Sequence, residues 1–447
     1  VKASADVPLN RNASFLKLWG GQSVALLGSK VSQLALPLVA IYTLDASPSM
    51  VGLIGTATFL PYLLFALWAG AWIDRRRRLP IMITTDVVRG VVLLGILGLA
   101  VTGTLTMWIM LGLVFVFSTC SVLFELCYYS FVPSIVPSRD LVAANSRLQA
   151  SDSVAEVGGP GLGGVLVQLL TAPFALVAQM ISFVVSAVTL ASIRDREPQP
   201  EPPAGGAPPI MAQIRQGLVT VVRAPLLRTL VVSAALYNFF ANWVMALFPV
   251  FAVRALDLNA ATIGLIRSCG AIGGVLGAVA AGRLIARLGI GSSYLASIVL
   301  PFVAFVVIAV TPANTAFTVV VLTLAFAASG FLVVSNVVAI SVRQTITPTD
   351  LLGRMNATYK FISYGVIALG TFAGGVVGDL LSLRAGMIIG AVGLVLNVLW
   401  ILASPLRPMR ELPEPVDETP ASGPEAGADQ ETPPSREVVG DAPAGRG

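Results

Sequence analysis

Residues 141–170 read LVAANSRLQASDSVAEVGGPGLGGVLVQLL, and residues 352–381 read LGRMNATYKFISYGVIALGTFAGGVVGDLL. Overlaid at an offset of 211, they match at Leu141/Leu352, Asn145/Asn356, Gly159/Gly370, Gly163/Gly374, Gly164/Gly375, Val165/Val376 and two closing leucines. The same offset carries Ile135 and Pro137 onto Ile346 and Pro348. One residue of slippage places Gly52, Leu53 and Ile54 on Gly264, Leu265 and Ile266, and Gly70 on Gly282. An offset that persists at separate places is the mark of an internal duplication.

Working outward, apolar stretches recur at 15–43, 50–73, 79–101, 105–132, 140–170, 173–193, 226–253, 260–285, 290–311, 314–343, 350–381 and 384–404. Each is long enough to cross a hydrocarbon core of ~30 Å. Backbone polar groups in lipid must be satisfied within the segment, so the stretches are expected to be helices. The repeat offset then equals six spans. The fold class expected is an all-α polytopic membrane protein of twelve transmembrane helices in two pseudo-symmetric six-helix bundles.

Composition agrees. Of 447 residues, 56% are hydrophobic and 11% charged, and mean hydropathy is +0.85. That charge is too little to cover a soluble surface of this size. Cys120, Cys127 and Cys269 lie in apolar segments and read as small buried hydrophobes rather than metal ligands or disulfide partners. Histidine is absent, so proton chemistry falls to carboxylates or lysines. The net charge of +5 sits in loops, where topology explains it, and does not indicate nucleic acid.

Basic residues set the orientation. Arg75–Arg78, Arg139, Arg194, Arg223, Arg283, Arg287 and Arg343 fall on one set of loops, whereas the opposite set holds only Arg254 and Arg384. Both termini are expected in the cytoplasm and the chain in a bacterial inner membrane. The domains expected are a cytoplasmic N-terminus (1–14), a first bundle (15–193), a cytoplasmic linker (194–225), a second bundle (226–404) and a disordered cytoplasmic tail (405–447). The linker opens Pro-rich and continues as MAQIRQGLVTVVR, which suggests an amphipathic surface segment. The tail is acidic and rich in Pro and Gly.

Two motifs carry a resemblance. Between spans two and three stands Gly70-Ala71-Trp72-Ile73-Asp74-Arg75-Arg76-Arg77-Arg78. It resembles the signature of the major facilitator superfamily in that loop, with Arg77 in place of the second glycine. On span five, Gly158-Gly159-Pro160-Gly161-Leu162-Gly163-Gly164 resembles the Gly-Pro-x-x-Gly-Gly motif of that superfamily's drug:proton antiporters. The start NASFLKLWGGQSVALLGSKVSQLALPLVA, the Asp74 loop, Asp86-x-x-Arg89 and the stretch Pro137–Asn145 are similar to enterobactin exporters and macrolide efflux proteins. The resemblance implies two halves that rock about a midplane site. It implies a cytoplasmic gate at Gly70, Asp74 and Arg75, beside the pair Asp86 and Arg89. It also implies an antiporter-like role for Gly159, Pro160, Gly163 and Gly164. In the second half Ala286 stands where Asp74 would be, so the gate is expected in one half only.

Ionisable groups inside a membrane are expensive, and each is a functional candidate. Asp86 and Arg89 are three apart on one helix and can pair. Glu125 lies at a similar depth and reads either as part of that charge network or as a proton site. Asp152 and Glu156 are four apart, about 6 Å along a helix. Two carboxylates that close in a low dielectric resist ionising together. Glu156 is the leading proton-coupling candidate, with Asp152 and Glu125 behind it; the plainer alternative is neutralisation by Lys30 or Arg147. Lys30, Arg267 and Lys360 are buried cations, suited to pair with the span-five acids or attract an anion. Asn238 and Asn242 share a face and suit a cavity wall.

The reading of function is a secondary active transporter, exporting a small amphipathic molecule such as a drug, siderophore or secondary metabolite by proton antiport. Uptake by proton symport and lipid translocation are the alternatives. No GxxxxGK[ST] motif, metal cluster or activated nucleophile points to an ATPase or an enzyme. No metal or other cofactor is expected. The partners are the substrate, protons and the bilayer, and a monomer suffices.

Overall fold

The computed structural model describes residues 9–73, 76–193, 218–219, 221–313, 315–347 and 349–413. Among them run α1 (Ala13–Leu44), α2 (Pro48–Ile73), α3 (Arg78–Val101), α4 (Met107–Ile135), α5 (Leu141–Leu170) and α6 (Ala172–Ala191). The second six spans are formed by α7 (Pro225–Val250), α8 (Ala260–Leu288), α9 (Ile290–Val310), α10 (Thr315–Ser329) with α11 (Val333–Ile346), α12 (Thr349–Leu380), and α13 (Leu383–Gly393) with α14 (Val395–Leu402). Twelve helical spans are thus long and apolar enough to cross a membrane. The expected fold is the one observed.

Local signals set the ends. Asn12 accepts the Phe15 amide, so α1 starts at Ala13 rather than 15. Thr106, Asn259 and Ser382 cap α4, α8 and α13 in the same way. Asp45 and Asp257, 212 positions apart in the sequence, both adopt the left-handed conformation, with φ of 47° and 52°. The duplication therefore reaches down to loop conformation.

The halves meet along two symmetric seams. In one, α2 packs on α12; in the other, α5 packs on α8. At each seam two glycines touch, and the two contacts are repeat-related: Gly52 lies on Gly375, and Gly264 lies on Gly164. A Cβ at any of the four would strike backbone, so only glycine allows this approach.

The core follows the same plan. At the end of the bundle away from the chain termini, one continuous cluster runs through both halves, including Leu38, Ile96, Leu176, Phe248, Ile263 and Ile308. Toward the termini it divides. The first half keeps its own cluster around Phe15, Met82 and Phe131, and the second half keeps two others, around Tyr294 and Met355. The distal end is shut further by polar contacts. Arg254 Nη2 donates to Asp45 Oδ1 at 2.5 Å, and Asp379 accepts from the Ser47 hydroxyl at 2.9 Å and the Ser49 amide at 3.1 Å. The molecule is closed at its distal end, and its core is parted at the end bearing the termini.

One expectation needs correction. Residues 405–413 are not a disordered tail: Leu406 is fully buried, and the Met409 and Arg410 carbonyls accept from the amides of Gly291 and Ile290. The chain folds back because these carbonyls cap the exposed amides that begin α9. The remaining tail (414–447), the linker residues 194–217 with Thr220, and residues 1–8 lie outside the described residues.

Bulk at a seam is predicted to cost stability. Gly264→Val drives a side chain into the Pro160 carbonyl and the Gly164 backbone, and is expected to destabilise by about 1–3 kcal/mol. Gly20→Val, where nothing lies within 4 Å, is expected to leave thermal unfolding in detergent nearly unchanged.

Candidate functional site

The span-five glycines work on two faces. Gly159 lies directly on the stem of Lys30, and Gly163 lies on the Val31 backbone, so α1 nests against α5. On the other face, Gly164 meets α8 at Ala260 and Gly264, and the Gly161 amide donates to Ser268 Oγ at 2.9 Å. The motif thereby joins its own half to the opposite one.

That nesting seats a charge. Lys30 Nζ forms an ion pair with Glu156 Oε2, one turn before Gly159. Arg267, one turn along α8 from Gly264, feels the Glu156 charge from the other half. The leading proton-coupling candidate is therefore paired with a cation of its own half and acts electrostatically on one across the seam. Lys30 is the neutralising partner foreseen for it. Arg147 is not, since it donates to Asn10 Oδ1 and stacks 5.8 Å over Trp19.

Asp86 and Arg89 pair as expected. The other Asp86 oxygen accepts from Ser186 Oγ at 2.6 Å, and Ser186 in turn accepts from Gln22 Nε2 at 3.0 Å. The Arg89 guanidinium lies between the rings of Phe124 and Phe183, 4.4 Å from each centroid. This network ties α3 to α6 and α1 inside the first half rather than bridging the halves. Gly70 falls on the last turn of α2; Asp74 and Arg75 lie outside the described residues.

Glu125 is held apart from that network. It accepts a 2.5 Å hydrogen bond from the Tyr62 hydroxyl. Tyr62 stacks obliquely on Tyr364 of α12, 4.8 Å between centroids, and the Lys360 ammonium stands 5.1 Å over Tyr129. These are contacts between halves, at the end where the cores have parted. A cavity of about 630 Å³ opens beside them within the first half, lined by Tyr62, Arg89, Glu125, Tyr129, Asp152 and Gln179 among others. Asp152 has no hydrogen bond or ion pair among the described residues. Asn242 donates to the Asn238 carbonyl one turn back, and neither asparagine lines the cavity.

The tyrosines and Gln179 were not picked out from the sequence. Tyr128 and Tyr129 beside Glu125, and Tyr364 one turn after Lys360, are polar aromatics inside apolar spans, and that is the signal that marks them. Among the described residues no group of His, Cys, Asp and Glu is placed to hold a metal, and no two cysteines form a disulfide.

Comparison with known proteins fits this geometry. The family model described as "Transmembrane secretion effector", of the major facilitator type, matches residues 3–431. Macrolide efflux protein A of Streptococcus pyogenes is 22% identical over 55% of this chain and 60% of its own length. Enterobactin exporter EntS of Salmonella choleraesuis is 25% identical over 63% of this chain and 66% of its own. The chain thus matches less than two thirds of either relative. Among solved structures, a bacterial homologue of the iron transporter ferroportin in its inward-facing state superposes with a TM-score of 0.68 at 18% identity, covering 89% of this chain and 99% of that one.

The Asp86 network makes a stability prediction. Asp86→Asn strands the Arg89 charge between two rings, and is expected to cost about 3–5 kcal/mol in thermal unfolding. Adding Arg89→Gln removes the stranded charge and should restore most of the loss.

Proposed function

We propose that this chain, which belongs to the transmembrane secretion effector family of major facilitator transporters, exports a small amphipathic molecule in exchange for protons. As a member it is a secondary transporter that moves small molecules across the membrane by alternating access. Export is supported by the span-five motif and by relatives named for macrolide and enterobactin efflux. The basic residues Arg76–Arg78, Arg139, Arg283 and Arg287 lie at the end bearing the termini. They support an inner-membrane orientation with both termini, and the parted end, in the cytoplasm.

The observation that carries proton coupling is the Lys30–Glu156 pair beside the α5–α8 seam. Ionised, Glu156 holds Lys30 and attracts Arg267 across the seam. Lys30 is largely enclosed and Glu156 half exposed, so the pair lies at the edge of the seam. Protonated, Glu156 releases both cations and can close into the seam without an ionic charge. Substrate loaded from the cytoplasmic side leaves toward the distal side with Glu156 ionised; a proton from the distal side then neutralises Glu156, the seam closes, and the proton leaves to the cytoplasm as the Lys30 pair re-forms. One proton enters for each substrate that leaves, which is antiport.

The test is efflux of a panel of fluorescent and antibiotic compounds from expressing cells, with and without a protonophore. Extrusion that both the protonophore and Glu156→Gln abolish is the expected result. Extrusion that survives Glu156→Gln moves coupling to Asp152 or Glu125. Energy-dependent accumulation in place of extrusion identifies an uptake symporter. In reconstituted vesicles, flipping of labelled phospholipid would mark a lipid translocator.

A further inference from the structure

The cavity of the first half carries its own record of what fits it. Gln179 on α6 is fully buried and lines the cavity, yet neither its amide nitrogen nor its carbonyl oxygen has a partner. A buried amide with both groups unpaired is costly unless an occupant supplies the missing donor and acceptor. The same cavity is lined by Glu125, Asp152, Tyr62, Tyr128 and Tyr129.

The charges do not cancel. Arg89 is matched by Asp86, Lys30 by Glu156, and Arg147 is turned to Asn10. What remains near the tyrosines is two carboxylates, Glu125 and Asp152, against one ammonium, that of Lys360 over the Tyr129 ring. Among the described residues, the charges that line the cavity are thus Arg89, matched by Asp86, and the carboxylates Glu125 and Asp152, neither in an ion pair, beside aromatic faces. The Lys360 ammonium over the Tyr129 ring shows that this aromatic face takes a cation, and an incoming cation binds it in place of Lys360.

We propose that this cavity takes an amine-bearing aromatic cation. Its ammonium lies between Glu125, Asp152 and the tyrosine faces, and a neutral hydrogen-bonding group on the same molecule satisfies Gln179. Lys360 occupies the place of the incoming amine. When substrate displaces it from Tyr129, α12 of the second half loses a hold on α4 of the first, so occupancy reaches the contact between the halves. The assignment rests on the transporter reading and specifies its substrate class.

The experiment is fluorescence anisotropy on the purified full-length protein in detergent, with rhodamine 6G as the aromatic cation and fluorescein as the aromatic anion. Rhodamine 6G is expected to bind at least about tenfold more tightly than fluorescein. Asp152→Asn breaks no hydrogen bond or ion pair among the described residues and should weaken rhodamine 6G severalfold while leaving the elution profile monodisperse. Adding Glu125→Gln, which keeps an acceptor for Tyr62, should erase the preference, and Gln179→Leu should weaken both dyes. Absent rhodamine 6G binding, equal or tighter binding of fluorescein, or a preference that the double variant retains, overturns the proposal. Transport is read separately in cells. Extrusion of fluorescein but not rhodamine 6G would sink the amine assignment and leave export standing, whereas export itself fails if no member of the efflux panel moves.

Discussion

Four glycines at two seams set the distance between the halves. Gly52 against Gly375 and Gly164 against Gly264 bring α2 onto α12 and α5 onto α8 with backbone touching backbone. Lipid offers no hydrophobic drive for helices to associate, so such contacts rest on dispersion and on shape. The single core that crosses both halves at the distal end depends on them, and so do the Asp45–Arg254 and Asp379 contacts around it. Where the glycines stop, the core divides and a cavity opens. A bundle held at one end by small residues and parted at the other is mechanically suited to rocking.

The charges are placed where that rocking has to be felt. Glu156 lies beside the tight part of the α5–α8 seam, paired with Lys30 of its own half and within the electrostatic reach of Arg267 on α8. Glu125, Tyr62, Tyr364 and Lys360 lie on the α2–α12 side, where the halves still touch through aromatic rings. The Asp86–Arg89 network is different in kind. It pairs Asp86 with Arg89 and Ser186, lies buried in one half, and forms part of the cavity wall through Arg89. Repeat symmetry built the frame, and departures from it supply the chemistry: Glu125 faces Asn336 in the repeat register, and Glu156 faces Ile367.

Much of the frame was legible in the sequence because membrane spans are fixed by local quantities. Run length set the twelve helices, and a constant offset exposed the duplication. Helical spacing was enough to pair Asp86 with Arg89. The Lys30–Glu156 pair was foreseen only as one alternative, because contact between α1 and α5 depends on how Gly159 lets them nest, and no local rule gives that. The cavity's tyrosines went unread for a related reason: a tyrosine in an apolar span looks like any buried aromatic until its hydroxyl has a neighbour. Composition misled at 405–413, where Pro and charge suggested a loose tail but backbone carbonyls cap α9.

The central claim is that the halves close by turns at opposite ends. Two spin-label pairs on a background without native cysteines test it directly: Thr102 with Ala313 at the distal end, and Ser134 with Leu288 at the end bearing the termini. Distances by pulsed electron resonance in lipid nanodiscs would be compared at neutral and acidic pH, with a transported compound present. The account predicts that the distal distance lengthens as the other shortens. Two distances that stay fixed, or that lengthen together, would contradict it.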